Sequence, residues 1–544
     1  MADVKREIER KYETTGDARL PDLTRVAGVA AVDHRGAIEL DAVYYDTEDL
    51  RLAAAGITLR RRTGGADAGW HLKFPVASGI RDEIGAPLSD TLPPDLAGLV
   101  RSRVRDTALV PVVRLRSTRD VHVLNGPDGE PLAELGVDEV RAQRLHGGNR
   151  ATAWTEIEVE LADDGDPAFL DAVERRLRKA GIRPSASHSK LARALAETSP
   201  KKKTPPKKPS AKKEASPKKP SAKKKTPPKK PSAKMEASPE KRQREPGPPP
   251  RTAGDHVLAY VREQITDIVA LDPAVRRGLP DSVHRMRVAT RRLRSTFRTY
   301  RKVLDRTVTD PVGAELKWLA AELGVDRDQE VLDARLRTRL DALPRTLVLG
   351  PVRARLRIWS TARRSGSRRR TVAVLDGARH LALLETLHAL LADPPLLPAA
   401  AGPPGKALTR AAHKNHERLA ARIARALEHP PGPDRDLALH DARKAAKRAR
   451  YAAEAARPAL GKPARKSAKR LKAVQSVLGD HQDSVVARDA LRTLAVQAHA
   501  AGESSFTWGL LHGQEEATAA ARERELPGVW AKACKAEIRS ASGG

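Results

Sequence analysis

Residues 7–11 read EIERK, two carboxylates and an ammonium within one short stretch. As helix surface the stretch is ordinary, because Glu7 and Lys11 stand four apart in the acid-first order that favours an ion pair. As a strand it carries chemistry. A period of two places Glu7, Glu9 and Lys11 on one face and Ile8, Arg10 and Tyr12 on the other. Such a row can hold a hard divalent cation through carboxylate oxygens and grip an anionic oxygen through the ammonium. The same alternation recurs along residues 1–198. In TEIEVEL, Glu156, Glu158 and Glu160 share one face while Ile157, Val159 and Leu161 share the other. Arg60 and Arg62 align in ITLRRR, Arg114 and Arg116 align in VVRLRS, Asp138 shares a face with Glu134, and Lys73 follows the apolar WHL.

The elements that carry these charges are short alternating runs separated by turn signals, with NGPDGE a hairpin loop. That pattern predicts an antiparallel sheet or barrel. Any one of the strands also fits a half-exposed sheet whose charges meet water. Taken jointly, apolar rows packed on outer helices send the charged rows inward to line a closed barrel. Isolated buried charges are costly, so acids, bases, water and a charged ligand must satisfy one another there. A lumen of that kind suits a polyphosphate chain.

EIERK resembles the ExExK signature of the CYTH family, the triphosphate tunnel enzymes that include thiamine triphosphatase, inorganic triphosphatases and a class of adenylyl cyclases. The resemblance covers about residues 1–195. It implies metal-binding acids at Glu7, Glu9, Asp138, Glu158 and Glu160, with Glu156 adjoining them, and a divalent metal, Mg2+ or Mn2+. It implies triphosphate-binding bases at Lys11, Arg60, Arg62, Lys73, Arg116 and Lys190, with Arg114 and Arg119 as further alignments of RLRSTR. Glu7, Glu9 and Lys11 are the expected catalytic group. The implied chemistry is metal-assisted attack of water on a terminal phosphoryl group, with the cationic wall stabilising the transition state. Inorganic triphosphate is the expected substrate, with thiamine or nucleoside triphosphates behind it and a cyclase less favoured for want of a visible nucleoside pocket; the alternative is a non-catalytic polyphosphate- or DNA-binding protein whose barrel only captures chain ends.

Residues 199–250 are almost entirely Lys, Pro, Ser, Ala and Thr, and KKKTPPKKPSAKKEASP from Lys201 returns as KKKTPPKKPSAKMEASP from Lys223. With little apolar surface and many prolines, the segment predicts a disordered, self-repelling linker. It reads as a solubilising tether or as a non-specific arm for polyanions, nucleic acid included. Beyond it, residues 251–544 run in long Ala/Leu/Arg-rich stretches with Pro and Gly breaks, the pattern of an all-α bundle.

Within that second domain HRMRVATRRLR begins at His284 and HDARKAAKRAR at His440. Arg287, Arg291 and Arg294 follow the first histidine at the offsets at which Arg443, Lys447 and Arg450 follow the second, along one helical face. Downstream, LKWLAAELGVDRD answers LKAVQSVLGDHQD, keeping Lys317 with Lys472, an LG pair, and Asp328 with Asp483. The copies predict two pseudo-symmetric halves whose basic stripes form a groove for a long anion. Each stripe alone would also suit a solvated helix face, and His284 and His440 could be structural. The pattern resembles the CHAD domain, a histidine-led α-helical family often found behind a CYTH domain. That resemblance implies binding of inorganic polyphosphate, in some members on polyphosphate granules. HKNHE at 413–417 has the wrong spacing for a zinc protease helix. GPPGK at 402–406 is no P-loop, lacking its glycine spacing and its Ser or Thr.

Composition agrees with polyanionic partners: net charge is +32, hydrophobic content 40% and aromatic content 3% over 544 residues. Cys534 is the single cysteine, so no intrachain disulfide can form. With no signal-like apolar run and no stretch long enough to span a bilayer, a cytoplasmic protein is expected.

Overall fold

The computed structural model describes residues 3–14, 19–199, 250–364 and 367–538. The expected linker, from 200 to 249, lies outside the described residues. The chain divides into two compact units, Met1–Ala97 with Thr107–Glu245, and Gly98–Asp106 with Pro246–Gly544.

The first unit is built on β1 (Asp3–Glu13), β2 (Ala31–Asp46), β3 (Thr58–Thr63), β4 (Gly69–Ala77), β5 (Ile80–Pro87), β6 (Val110–Asn125), β7 (Pro131–Arg144), β8 (Ala151–Leu161) and the short β9 (Arg183–Pro184). Their order is β5-β4-β3-β2-β6-β7-β8-β1-β9, and β1 also pairs with β5. Asp3–Ile8 of β1 bond to β5 and Glu9–Glu13 to β8, so one strand closes the sheet into an eight-stranded antiparallel barrel. Closure removes both sheet edges and creates an inside. The NGPDGE turn joins β6 to β7, with Gly126 N–H donating to Glu130 and Gly129 at φ +79°, where a side chain would be strained.

Period two then sorts the residues. Ile157, Val159 and Leu161 face outward and pack with Leu135 and Leu124 against Leu170, Val173 and Leu177 of α3 (Ala168–Lys179). The short α1 (Arg51–Ala54) also belongs to this unit, while α2 (Pro94–Val104) begins in it and from Gly98 onward belongs to the second. The inward rows change character along the barrel. Towards one end they turn apolar: Ala42, Tyr44, Val113, Leu115, Val140, Ala142 and Trp154 form a core with Leu191, Ala194 and Leu195 of α4 (Lys190–Thr198). Ser189 caps α4 by accepting from Ala192 N–H, and α4 closes that end of the lumen.

The second unit is all helical: α5 (Ala253–Arg276), α6 (Ser282–Thr299), α7 (Arg306–Glu322), α8 (Gly324–Asp341), α9 (Val352–Arg364), α10 (Ser367–Asp376), α11 (Ala378–Ala392), α12 (Pro404–Glu428), α13 (Pro433–Ala455), α14 (Arg457–Leu460), α15 (Lys462–Ala500) and α16 (Phe506–Cys534). Thr252 and Asp255 form a reciprocal capping box that starts α5. Alanines let the helices approach closely: Ala442, Ala446 and Ala449 of α13 and Ala289 and Leu293 of α6 share one core. The histidine-led helices α6 and α13 pack on one another. Among the described residues no helix is long and apolar enough to cross a membrane.

Candidate active site and anion groove

The charged part of the barrel lumen is a cavity of about 890 Å³ lined by Glu7, Glu9 and Lys11 of β1, Arg60 and Arg62 of β3, Lys73 of β4, Glu158 of β8 and Lys190 at the start of α4. Strands on opposite walls thus deliver acids and bases to one space. Lys190 Nζ lies 3.0 Å from Asp138, 3.0 Å from Glu156 and 2.6 Å from Glu158. Glu158 also receives Lys11 and, at 2.5 Å, Arg119. On the facing wall Lys73 lies 2.7 Å from Glu7 and 3.5 Å from Glu83. Glu160 stands near the open end, paired at 2.6 Å with the half-exposed Lys5.

Two expected ligand contacts are corrected. Arg114 and Arg116 lie on the outer wall, where both bond to Asp41 (2.5 and 3.3 Å), and Arg116 is 62% exposed. The reason is parity. Arg119 stands opposite Asp138 in an unbroken stretch of the β6–β7 register, so odd positions of β6 face the lumen and even ones face out. Arg119 therefore holds the inner place, reaching Asp138 at 2.7 Å. Glu83, Arg81 and His71 were not anticipated. Glu83 accepts from His71 at 2.8 Å, and Arg81 donates to the His188 carbonyl and lies 3.6 Å from Glu9. Their signal was the alternation Arg81, Glu83 in IRDEIGAP, masked by glycine and proline neighbours that read as a turn.

Charge states follow from these neighbours. Burial pushes Glu7 up, and its hydrogen bond with Glu83 adds to this against the pull of Lys73. Glu83 is driven the other way: burial is outweighed by His71, Glu7, Lys73 and Arg60. Burial also opposes the charges of Glu158 and Asp138, but Lys11, Lys190 and Arg119 hold Glu158 well below the carboxylate range, and Lys190 and Arg119 lower Asp138. Burial and the adjacent Arg60 press against the charge of Arg62, an opposition that an anion in the lumen would relieve. Oxygens of Asp138, Glu156 and Glu158 lie within 4.8 Å of one another. An all-oxygen, acidic donor set fits a hard divalent cation, and the ammonium of Lys190 sits among these oxygens as a cationic stand-in.

In the helical unit the two stripes converge. Arg287, Arg443 and Arg291 all act on the charge of Lys447, and Arg287 and Arg443 both act on Arg291. The repeated LG…D segments have a local purpose. Arg287 lies 3.0 Å from Asp328 and Arg443 lies 3.5 Å from Asp483. Each guanidinium also lies over the repeat glycine: a Cβ at Gly324 would meet Arg287 Nη2 at 2.9 Å, and one at Gly479 would meet Arg443 Nη2 at 3.6 Å. The glycine and aspartate thus hold the arginine at the same place in both halves. Among the described residues Arg291, Arg294 and Lys447 have no ion-pair partner. Arg450 leans 3.2 Å from Glu454. His284, Lys317 and Lys472 are exposed, and His440 bonds through Nδ1 to Gln482 at 2.5 Å.

Burial, Arg443 and Arg291 push the Lys447 ammonium down to about 7, with Asp483 opposing them. A polyanion bound along these stripes would raise it again. A group whose bound pKa exceeds its free pKa favours binding fully below the free value, and that contribution fades as pH rises through the bound one. Affinity for long-chain polyphosphate should therefore fall as pH rises between about 6 and 9. Lys447→Arg, permanently charged, should flatten the profile. Fluorescence titration at constant salt checks this, and an equally steep decline in Lys447→Arg would contradict the assignment.

Comparison with known proteins matches residues 5–195 to the CYTH domain and 259–492 to the CHAD domain. An uncharacterized protein of Mycobacterium tuberculosis is 37% identical over 535 residues, covering 95% of this chain and 94% of that one. Among solved structures, PptA from Streptomyces chartreusis is 24% identical, covers 52% of this chain and 99% of its own, and has a TM-score of 0.44. The CHAD domain from the plant Ricinus communis is 26% identical, covers 55% and 96%, and has a TM-score of 0.42. A closed barrel with a lumen of paired acids and bases is the triphosphate tunnel metalloenzyme fold, a class of metal-dependent enzymes. Here it is followed by a helical domain of paired basic stripes, and the chain belongs to the CYTH–CHAD family.

Proposed function

We propose that the barrel is a metal-dependent triphosphatase for inorganic triphosphate and that the helical unit binds inorganic polyphosphate. The carrying observation is the convergence of Lys11, Lys190 and Arg119 on Glu158 beside Asp138 and Glu156. Acids and bases so tightly paired neutralise one another in the lumen, so a triphosphate that draws the bases to its oxygens would leave the acids to be balanced by divalent cations. Lys11, Arg60, Arg62, Lys73 and Arg119 would bind and orient the phosphate oxygens and stabilise charge gathering on them in the transition state. Asp138, Glu156 and Glu158 would hold Mg2+ or Mn2+, which when bound polarises phosphoryl oxygens and activates water. The bond formed is between water oxygen and the terminal phosphorus; the bond broken is to the bridging oxygen, and pyrophosphate leaves. Glu7 and Glu9 extend the acidic wall, with Glu160 at the mouth. Roles at the groove fall to Arg287, Arg291, Arg294, Arg443, Lys447 and Arg450.

Phosphate release from tripolyphosphate, thiamine triphosphate, ATP and long-chain polyphosphate, each with Mg2+, Mn2+ or chelator, tests this reading. Tripolyphosphate should be hydrolysed fastest and only with metal. No metal-dependent release from any of the four would refute it.

A further inference from the structure

A second group of ligating side chains stands on the outer wall of the barrel, away from the lumen. His34 of β2 and His122 of β6 are direct partners across the antiparallel pair. Their rings stack with centroids 4.9 Å apart and planes 24° from parallel. Asp120, two residues before His122 on the same face, takes one imidazole on each oxygen: Nε2 of His34 lies 2.5 Å from Oδ1 and Nε2 of His122 lies 3.1 Å from Oδ2. The three donor atoms all fall within 4.8 Å of one another.

This juxtaposition is made by one irregularity. From Ile38 to Tyr44 the even residues of β2 stand opposite odd, lumen-facing residues of β6, and an unbroken ladder would send His34 inward as well. The register slips between His34 and Gly36, and Gly36 takes φ +85°. The extra residue flips His34 to the outer face, opposite His122. Bulges re-aim side chains in this way and are commonly features of sites.

We propose that His34, Asp120 and His122 form a site for a borderline divalent metal of the zinc class. Two imidazole nitrogens and one carboxylate oxygen converge from two rigid strands, a donor set preferred by Zn2+ over Mg2+. Among the described residues Asp120 pairs with no lysine or arginine, in a chain of net charge +32, and its side-chain partners are the two imidazoles. His34 is 58% and Asp120 41% exposed, which gives the ion a path in and a place for water as a further ligand. The oxygen-only set of Asp138, Glu156 and Glu158 offers the contrasting, harder chemistry inside the lumen.

The test uses the full chain dialysed against Zn2+ with excess Mg2+, followed by metal content per chain and by the visible spectrum after Co2+ substitution. Wild type should retain one more zinc than His34→Ala, His34→Gln and His122→Ala, and should show the intense bands of four-coordinate cobalt that these variants lose. Glu158→Gln should keep both signals. Because His34 is exposed, its two variants do not depend on the core for folding, and circular dichroism verifies them. Equal zinc content and identical cobalt spectra in wild type and in the folded His34 variants would overturn the site.

Discussion

Glu158→Gln should lower tripolyphosphate turnover by about 10²-fold or more, the scale of losing one preorganised electrostatic contact in an active site, while Arg114→Ala and Arg116→Ala leave it unchanged. The contrast follows from which wall each side chain occupies. Glu158 is the shared counter-charge of Lys11, Lys190 and Arg119 and one of three acids positioned to hold a divalent ion. Its neutral replacement keeps the shape but takes from all three cations the counter-charge they share, leaving Lys190 and Arg119 to Asp138 and Glu156, and Lys11 to Glu9. Removing one partner from a buried ion pair costs on the order of 3–5 kcal/mol, so the folded fraction is measured first by circular dichroism. The metal-induced rise in melting temperature should shrink in parallel with turnover. Among the described residues Arg114 and Arg116 bond only to Asp41, outside the barrel, and serve as outer-wall controls. Full turnover in Glu158→Gln, or loss in the two outer-wall variants, would show that the lumen is not where hydrolysis occurs.

The second large effect belongs to the basic stripes of the helical unit. Arg291→Ala with Lys447→Ala removes two cations that form no ion pair among the described residues, although Asp328 and Asp483 act on them from further off. Each cation that meets a phosphate releases counterions, with a slope in log affinity against log salt of about 0.7 per contact on a single-stranded polyanion. The double variant should therefore lose about 1.4 from that slope and bind long-chain polyphosphate more weakly at low salt. Affinity measured across a salt series reads both. An unchanged slope would place the polyanion elsewhere on the molecule, with the basic linker the next segment to delete.

How much of this was legible in the sequence depends on whether local spacing alone settled it. In β1 and β8 the charged rows run without interruption, so Glu7, Glu9, Lys11 and Glu158 could be placed on an inner face from spacing. RLRSTRD offers arginines on both parities, and only the partner strand, with Asp138 opposite Arg119, selects between them. Glu83 and Arg81 lie in a strand preceded by Gly79 and punctuated by Gly85 and Pro87, residues whose local preference is for turns. His34 escaped notice because a bulge moved it to the other face, and a bulge is a property of two strands together. In the helical unit the repeat was visible, including Asp328 and Asp483. That each aspartate holds the arginine about 40 residues before it needed the fold, since α6 and α13 each bend back on a later helix.

The apolar core under α4 has a consequence for traffic. With Leu191, Ala194 and Leu195 filling one end of the barrel, the charged lumen is a blind passage, and whatever enters past Lys5 and Glu160 must leave by the same opening. Under the proposed hydrolysis, pyrophosphate and the next triphosphate would queue for a single door, so the product would block its own successor until it departs.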